Sequence, residues 1–467
     1  MKRVLPGITL GILLAVPGMA GAQDPFAANN GLLPGADAWP MTTENGKRIG
    51  GFRTPNLDYP DKRVPSDWTP DPDLRPIDRD NARAYMRSVK RHLAPSLSGM
   101  INRPHKWQPG EHGWYDMVWQ GAGTPKANGK GTDPTSGREP LLNTYTGQIM
   151  PADTFAKPHR PDVAAVQNHA TIYYDATAAS MLGDLWDNVY NPDLSDGVSF
   201  PQGSMVVKVE AVTPTPDQWP ILEGTAKWHV YRPALKPDGT VAEQPSVVPA
   251  WALQMSVAVK DPVAAPETGW VFMAFTYDKD AEGESPWARF VPLGAQWGND
   301  PQYARHPEGK PDGKKLQETW VNPDAPDFVR DTLGWGGRLA GPMDVATRHE
   351  VVTMDGTRYT GAQHLRASSC LSCHGSAEYP FTTNLYPSPN KPFPPDGDPD
   401  NPFLLYTPGS KDWARWFQNR SGDEVMAPTG KDGLTALDYD MVIMFALNAY
   451  NRAMGNEALV FEEFDVH

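Results

Sequence analysis

Apolar and polar positions alternate with two different periods along the chain, and the change of period divides it. In "NARAYMRSVKRHLAPSL", Ala82, Met86, Val89 and Leu93 recur at helical spacing, with Asp80 placed to cap the helix. A second helix is predicted from about Asp175, with Ala178, Met181, Leu182, Leu185, Trp186 and Val189 on its apolar side. From about residue 200 the segments become short, β-branched or aromatic, and bounded by Gly, Pro and Asp: "GSMVVKVEAV", "AKWHVYRP", "WALQMSVAVK" and "GWVFMAFTYD". Trp251, Leu253, Met255, Val257 and Val259 alternate as one face of a half-buried strand. No long helical pattern separates these segments, so they predict a predominantly antiparallel sheet. "DWARWFQN" predicts a short helix, and "LDYDMVIMFALNAYNRAM" at 437–454 a buried one, since it is apolar on nearly every side.

Between these elements the chain is irregular. Residues 23–79 are rich in Pro, Asp and Gly and read as an extended arm; 302–360 and the Pro-rich 380–409 read as loops. The expectation is an α+β fold in three parts. A loop-rich N-terminal region with two helices spans 23–195, an antiparallel β-rich domain 196–301, and a mainly helical C-terminal unit 302–467. There is no internal repeat.

Composition adds the compartment. Lys2 and Arg3 precede the apolar "VLPGITLGILLAVPGMA", and Ala20-Gly21-Ala22 places small residues where a signal peptidase reads, so residues 1–22 are expected to be a leader cleaved after Ala22. Nothing later is long and apolar enough to span a bilayer. A periplasmic location follows as the expectation. The net charge of −14 argues against nucleic acid as a partner and against anionic lipid. Pro (49) and Gly (42) are abundant, but 16 Trp and 16 Tyr exclude a disordered chain. Two cysteines are too few for a disulfide scaffold.

Those two cysteines stand in "SSCLSCHG": Cys370, Cys373 and, directly behind, His374. C-x-x-C-H is the attachment sequence of c-type haem. Thiols three positions apart can reach the two vinyl groups on one porphyrin edge, and the adjacent imidazole then falls under the iron. A redox dithiol is the first alternative, but the strand–helix context of such motifs is missing around 360–380. A zinc site of His364, Cys370, Cys373 and His374 is the second, and adjacent residues 373 and 374 serve one ion awkwardly. Export favours haem over both. The expectation is one covalent haem c, anchored by Cys370 and Cys373 with His374 as proximal iron ligand.

The opposite axial position has several candidates. Met426, in the loop "GDEVMAPTG", is the first; Met343, His364, Met441 and Met444 are others, and an open site is a further alternative. His349, His364 and Asp344 could form a small polar site, and Arg338, Arg366 or Arg415 could pair with propionates.

The order of motif, Met426 loop and terminal helix over about 360–455 resembles small soluble cytochromes c. "GREPLL", "FPQGSMVVK", "QMSVAVKD", "GWVFMAFTYD", "WGNDP" and "GGRLAGPMD", with the motif, resemble large exported monohaem bacterial cytochromes without a settled activity. "FPQGSMVVKVE", with Lys208 in a strand, is similar to the start of the sheet in lysine-crosslinked, hydroxylamine-oxidising cytochromes, where a Lys bonds to the porphyrin. The separation from Lys208 to Cys370 is much longer than in that family. The resemblances imply a one-electron carrier with a redox partner protein, or alternatively a haem enzyme or small-ligand-binding protein with an open distal site.

Overall fold

The computed structural model describes residues 53–119, 138–139, 141–151, 155, 163–237, 239–306, 309–310, 314–345, 347–352, 358–366, 368–380, 411–426 and 433–456. The expected leader at 1–22 lies outside them. Helix α1 is Ala82–Asn102. Strands β1 (Trp114–Tyr115), β2 (Tyr145–Pro151) and β3 (Ala165–Asp175) precede helix α2 (Ala176–Leu185), whose N-cap Asp175 accepts from the Ala178 amide. Then come β4 (Met205–Val212), β5 (Lys227–Leu235), β6 (Val241–Lys260), β7 (Trp270–Tyr277), β8 (Phe290–Gln296) and β9 (Thr319–Val321). Helix α3 (Asp327–Arg330), strands β10 (Thr347–Val352) and β11 (Arg358–Arg366), helix α4 (Cys370–His374) and strand β12 (Glu378–Tyr379) follow. Helix α5 (Lys411–Trp416), strand β13 (Thr435–Ala436) and helix α6 (Met441–Met454) complete the described chain.

The antiparallel sheet is present and larger than the periodicity indicates. Nine strands join in the order β1-β3-β4-β6-β7-β8-β9, with β2 added on β3 and β5 on β6. The sheet therefore does not begin at the expected boundary of 196, because β2 and β3 lie inside the stretch read as loops and helices. The reason is visible in β3, where buried Gln167, Asn168 and His169 interrupt the apolar alternation that marks a strand.

Each face of the sheet carries its own core. On one, Met205, Val207 and Val209 of β4 and Met255, Val257 and Val259 of β6 pack with Tyr85, Met86, Val89 and Leu93 of α1. On the other, Trp270 and Phe272 of β7 pack with Leu371, with Leu437 and with Ile443 and Leu447 of α6. A third apolar group, on this second side, joins Trp251, Leu253, Leu293, Leu339 and Met343.

The alternation in β6 needs one correction. Trp251 and Leu253 do not share a face with Met255, Val257 and Val259. Gln254 pairs with Glu210 and Ala252 with Ala211, so Leu253 is an extra residue, a bulge that changes the phase. The C-terminal stretch also departs from the mainly helical expectation. A two-stranded sheet of β10 and β11 precedes the motif, a second joins β12 to β13, and the motif helix has only five residues. Its packing into the second core makes the motif part of the sheet assembly rather than of a separate unit. Among the described residues no helix is long and apolar enough to cross a membrane.

Candidate functional site

The motif is held by hydrogen bonds from both termini of its short helix. Ser369 caps α4 by accepting from the Ser372 amide, and the Ser372 hydroxyl reciprocates to the Ser369 amide, forming a capping box. The Cys370 amide donates to the Leu339 carbonyl at 2.8 Å and the Leu371 amide to Gln296 Oε1 at 3.2 Å. Ser369 Oγ donates to Asn299 Oδ1 at 2.7 Å. Leu371 and Ser372 are fully buried against the sheet. Residues 370, 373 and 374 stand at i, i+3 and i+4 and share the other, half-buried face. Both thiols are free.

His374 is oriented by a single turn. Its Nδ1 lies 2.9 Å from the Tyr439 carbonyl, which can only accept, so Nδ1 bears the hydrogen and Nε2 the lone pair. Its ring packs on Phe272, with centroids 4.6 Å apart. The carbonyl belongs to a turn in which the Asp440 amide donates to the Leu437 carbonyl at 2.9 Å. Both central residues, Asp438 and Tyr439, have positive φ, 46° and 68°. A tyrosine held there costs about 1–3 kcal/mol, so the surroundings must impose the shape. They do: Asp438 accepts from Lys260, Trp270 Nε1 and the Phe200 amide, and the Tyr439 hydroxyl donates to the Arg420 carbonyl. Asp440 caps α6 through the Val442 and Ile443 amides.

The protonation state of the ring suits an iron ligand, and the thiols lack the lowered pKa of a reactive dithiol. Burial lowers the His374 pKa and so favours the neutral imidazole, the form that binds iron. Burial pushes the Cys370 thiol well up and the Cys373 thiol up to about 12, with the Asp344 carboxylate adding to both. Reactive dithiols work by the reverse shift. Among the described residues no three His, Cys, Asp or Glu side chains are placed to hold a metal ion. The side chain of His364 lies outside them. The donor set fits haem c: two free thiols and an imidazole on one helical face, with the second ring nitrogen already engaged.

A buried polar group lies on the same side of the sheet. Lys208 Nζ is 2.5 Å from Asp344 Oδ1 and 3.1 Å from Glu210 Oε1. Gln254 Nε2 donates to Asp344 Oδ2 at 2.5 Å, its Oε1 accepts from the Met343 amide, and Asn168 Nδ2 donates to Glu210. Gly341 permits this docking, since a Cβ there would come within 2.2 Å of Gln254 Nε2. Met343, next to Asp344, belongs to the apolar group against which Cys370 packs, which puts the polar group beside the motif. Lys208 is thus not a solvent-facing strand lysine; its side chain is 24% exposed and ion-paired. Burial opposes its charge, yet Asp344 and Glu210 hold it well above the usual lysine range. Burial also pushes up Asp344, but Lys208 outweighs that and keeps it below its ordinary value.

Glu210 is the member that titrates. Burial, with repulsion from Asp344, raises its pKa from 4.5 to about 8, and its Oε2 is buried without a partner. Between those values the folded chain holds a proton that the unfolded chain has lost. Its contribution therefore falls as pH rises from about 4.5 to about 8, by at most about 1.4 kcal/mol per pH unit. Glu210→Gln is expected to flatten that part of the stability profile, read as urea midpoints across this range. An unaltered slope would count against a protonated Glu210.

Of the other sequence candidates, Met426 is buried among Trp413, Trp416 and Phe417, against which Cys373 also packs. Met441 and Met444 lie in the core around α6 and the motif, and Met343 in the group touching Cys370. Arg338 donates to the carbonyls of Asn299, Gly309, Trp335 and Asp300, so its guanidinium is committed to the backbone. The side chains of His349 and Arg366 fall outside the described residues. Asp438, Tyr439, Glu210 and Gln254 were not singled out by their sequence; only the N-cap signal of Asp440 before an apolar helix points to this turn.

No family model, curated protein or solved structure matches this chain. The resemblances noted above rest on the quoted residues.

Proposed function

We propose that the chain is an exported, periplasmic monohaem c-type protein that passes single electrons to a redox partner protein. Cys370 and Cys373 hold the haem by thioether bonds and His374 Nε2 is the proximal ligand. The observation that carries this reading is the fixed ring of His374 on one helical face with two free thiols. When bound, haem supplies a one-electron iron couple. The chain's part is to orient the imidazole through Tyr439 and to exclude water. Trp335 and Trp413, edge to face at 5.0 Å, with Trp416 and Phe417, form an apolar wall on the Cys373 side. Such a wall disfavours the more charged ferric state and raises the reduction potential. Met426, in that wall, is the distal ligand in this reading.

Met426→Ala is expected to abolish the weak far-red band of thioether-ligated ferric iron and to open the reduced protein to carbon monoxide. Visible spectra with and without the gas check both. A parent protein that lacks the band and binds the gas itself supports a second reading, favoured by the buried Lys208–Asp344–Glu210 group beside the motif. In that reading the distal side is open and lined by polar groups, as in a haem enzyme or small-ligand-binding protein distantly like the lysine-crosslinked cytochromes.

A further inference from the structure

The turn that meets His374 carries a tyrosine where its shape favours glycine. A tight turn with positive φ at both central positions favours Asn-Gly or Asp-Gly. Here the pair is Asp438-Tyr439, and a tyrosine has no intrinsic reason to adopt φ 68°. Something outside the turn must hold it.

The holding group is the Asp438 carboxylate. It is 1% exposed and each oxygen is engaged: Oδ1 accepts from Lys260 Nζ at 2.6 Å and Trp270 Nε1 at 2.8 Å, Oδ2 from the Phe200 amide at 2.8 Å. Lys260 and Trp270 are on β6 and β7, and Lys260 sits over the Trp270 ring at 5.2 Å. The carboxylate therefore pins the turn to the adjoining ends of β6 and β7, where Lys260 pairs with Trp270. The backbone around it adds two ties, Leu437 amide to Ala377 carbonyl and Asp438 amide to Gly422 carbonyl, both 3.1 Å. Gly422 is needed for the approach, because a Cβ there would strike Asp438 Oδ1. Next to this anchor, the Tyr439 carbonyl points at His374 Nδ1.

We propose that Asp438 is a positioning residue for the proximal ligand: by pinning the turn to β6 and β7 it aims the Tyr439 carbonyl at His374 and so sets the ring's tautomer and basicity. The effect on a bound iron rests on the haem c reading; the effect on the ring does not. A carbonyl that draws on Nδ1–H makes Nε2 a stronger donor and stabilises ferric iron. Loosening the turn weakens that donation and raises the reduction potential.

The experiment uses the full chain with 15N-labelled histidine and follows exchange of the His374 ring N–H by NMR, with potentiometry on haem-loaded protein. Asp438→Ala is expected to speed ring N–H exchange at least tenfold and to raise the potential by about 59 mV, the equivalent of a tenfold change for one electron. Asp438→Asn, which tolerates positive φ and keeps an acceptor for Trp270, is expected to restore most of both. If the alanine variant does not fold, Asp438→Gly takes its place, since glycine adopts the turn freely yet lacks the carboxylate. Parental exchange in the folded alanine or glycine variant overturns the proposal. A chain that never acquires covalent haem defeats the earlier reading instead, and ring exchange still decides this one.

Discussion

With alanine at both Cys370 and Cys373, and with haem-attachment machinery present, the chain is expected to lose all its haem to acidic organic solvent. The parent is expected to retain its haem through the same extraction. The thioether bonds are the only covalent links proposed, and both thiols are free, half-buried and on the face that carries His374. Either single alanine variant keeps one bond and a shifted spectrum from the remaining free vinyl group. His374→Ala keeps both bonds and loses the proximal ligand, so retention and spectrum separate the three roles. The test also addresses the alternatives. A zinc site would give one equivalent of zinc in the parent and none in the double variant, and a redox dithiol would give a reversible disulfide. A parent chain holding no extraction-resistant haem would sink the proposed function.

The second large effect is one of stability. Leu371 lies between the two thiols in sequence and points the opposite way, fully buried among residues of β7, α2 and α6. Leu371→Ala leaves every polar anchor of α4 in place, including the Leu371 amide to Gln296, and removes only side-chain volume. The expected loss is about 2–5 kcal/mol, the range for leucine truncation in a tight core. It is read from the denaturant midpoint by tryptophan emission. A loss under about 1 kcal/mol would mean that the motif helix does not pack into the sheet's second core.

What could be read from the sequence followed the locality of each signal. Strand β4 and the second half of β6 declare themselves because Met205, Val207 and Val209, and Met255, Val257 and Val259, alternate against one core. β7 does so because it is a short apolar, aromatic run buried throughout. β3 does not, because its second face carries Asn168 toward Glu210, and a polar residue buried for a partner 42 positions away looks like a loop residue. The thiols and His374 are legible because covalent attachment requires them to be contiguous. The Tyr439 carbonyl is not, since every residue has one and only the backbone's path selects it. Lys208 was visible as a strand lysine, yet its meaning depends on Asp344, 136 residues later.

The extra residue in β6 has a consequence for how this fold can vary among descendants. Leu253 is the bulge, and the rows on either side of it, Ala250 and Ala252, then Met255, Val257 and Val259, already form one continuous core face without it. Deletion of that single codon would therefore preserve strand register. It would instead take a leucine from the group with Leu293 and Leu339 on which Cys370 rests. Insertion and deletion at this point tune the floor under the motif, while substitution along the rows tunes the core. The two properties are open to separate mutational routes.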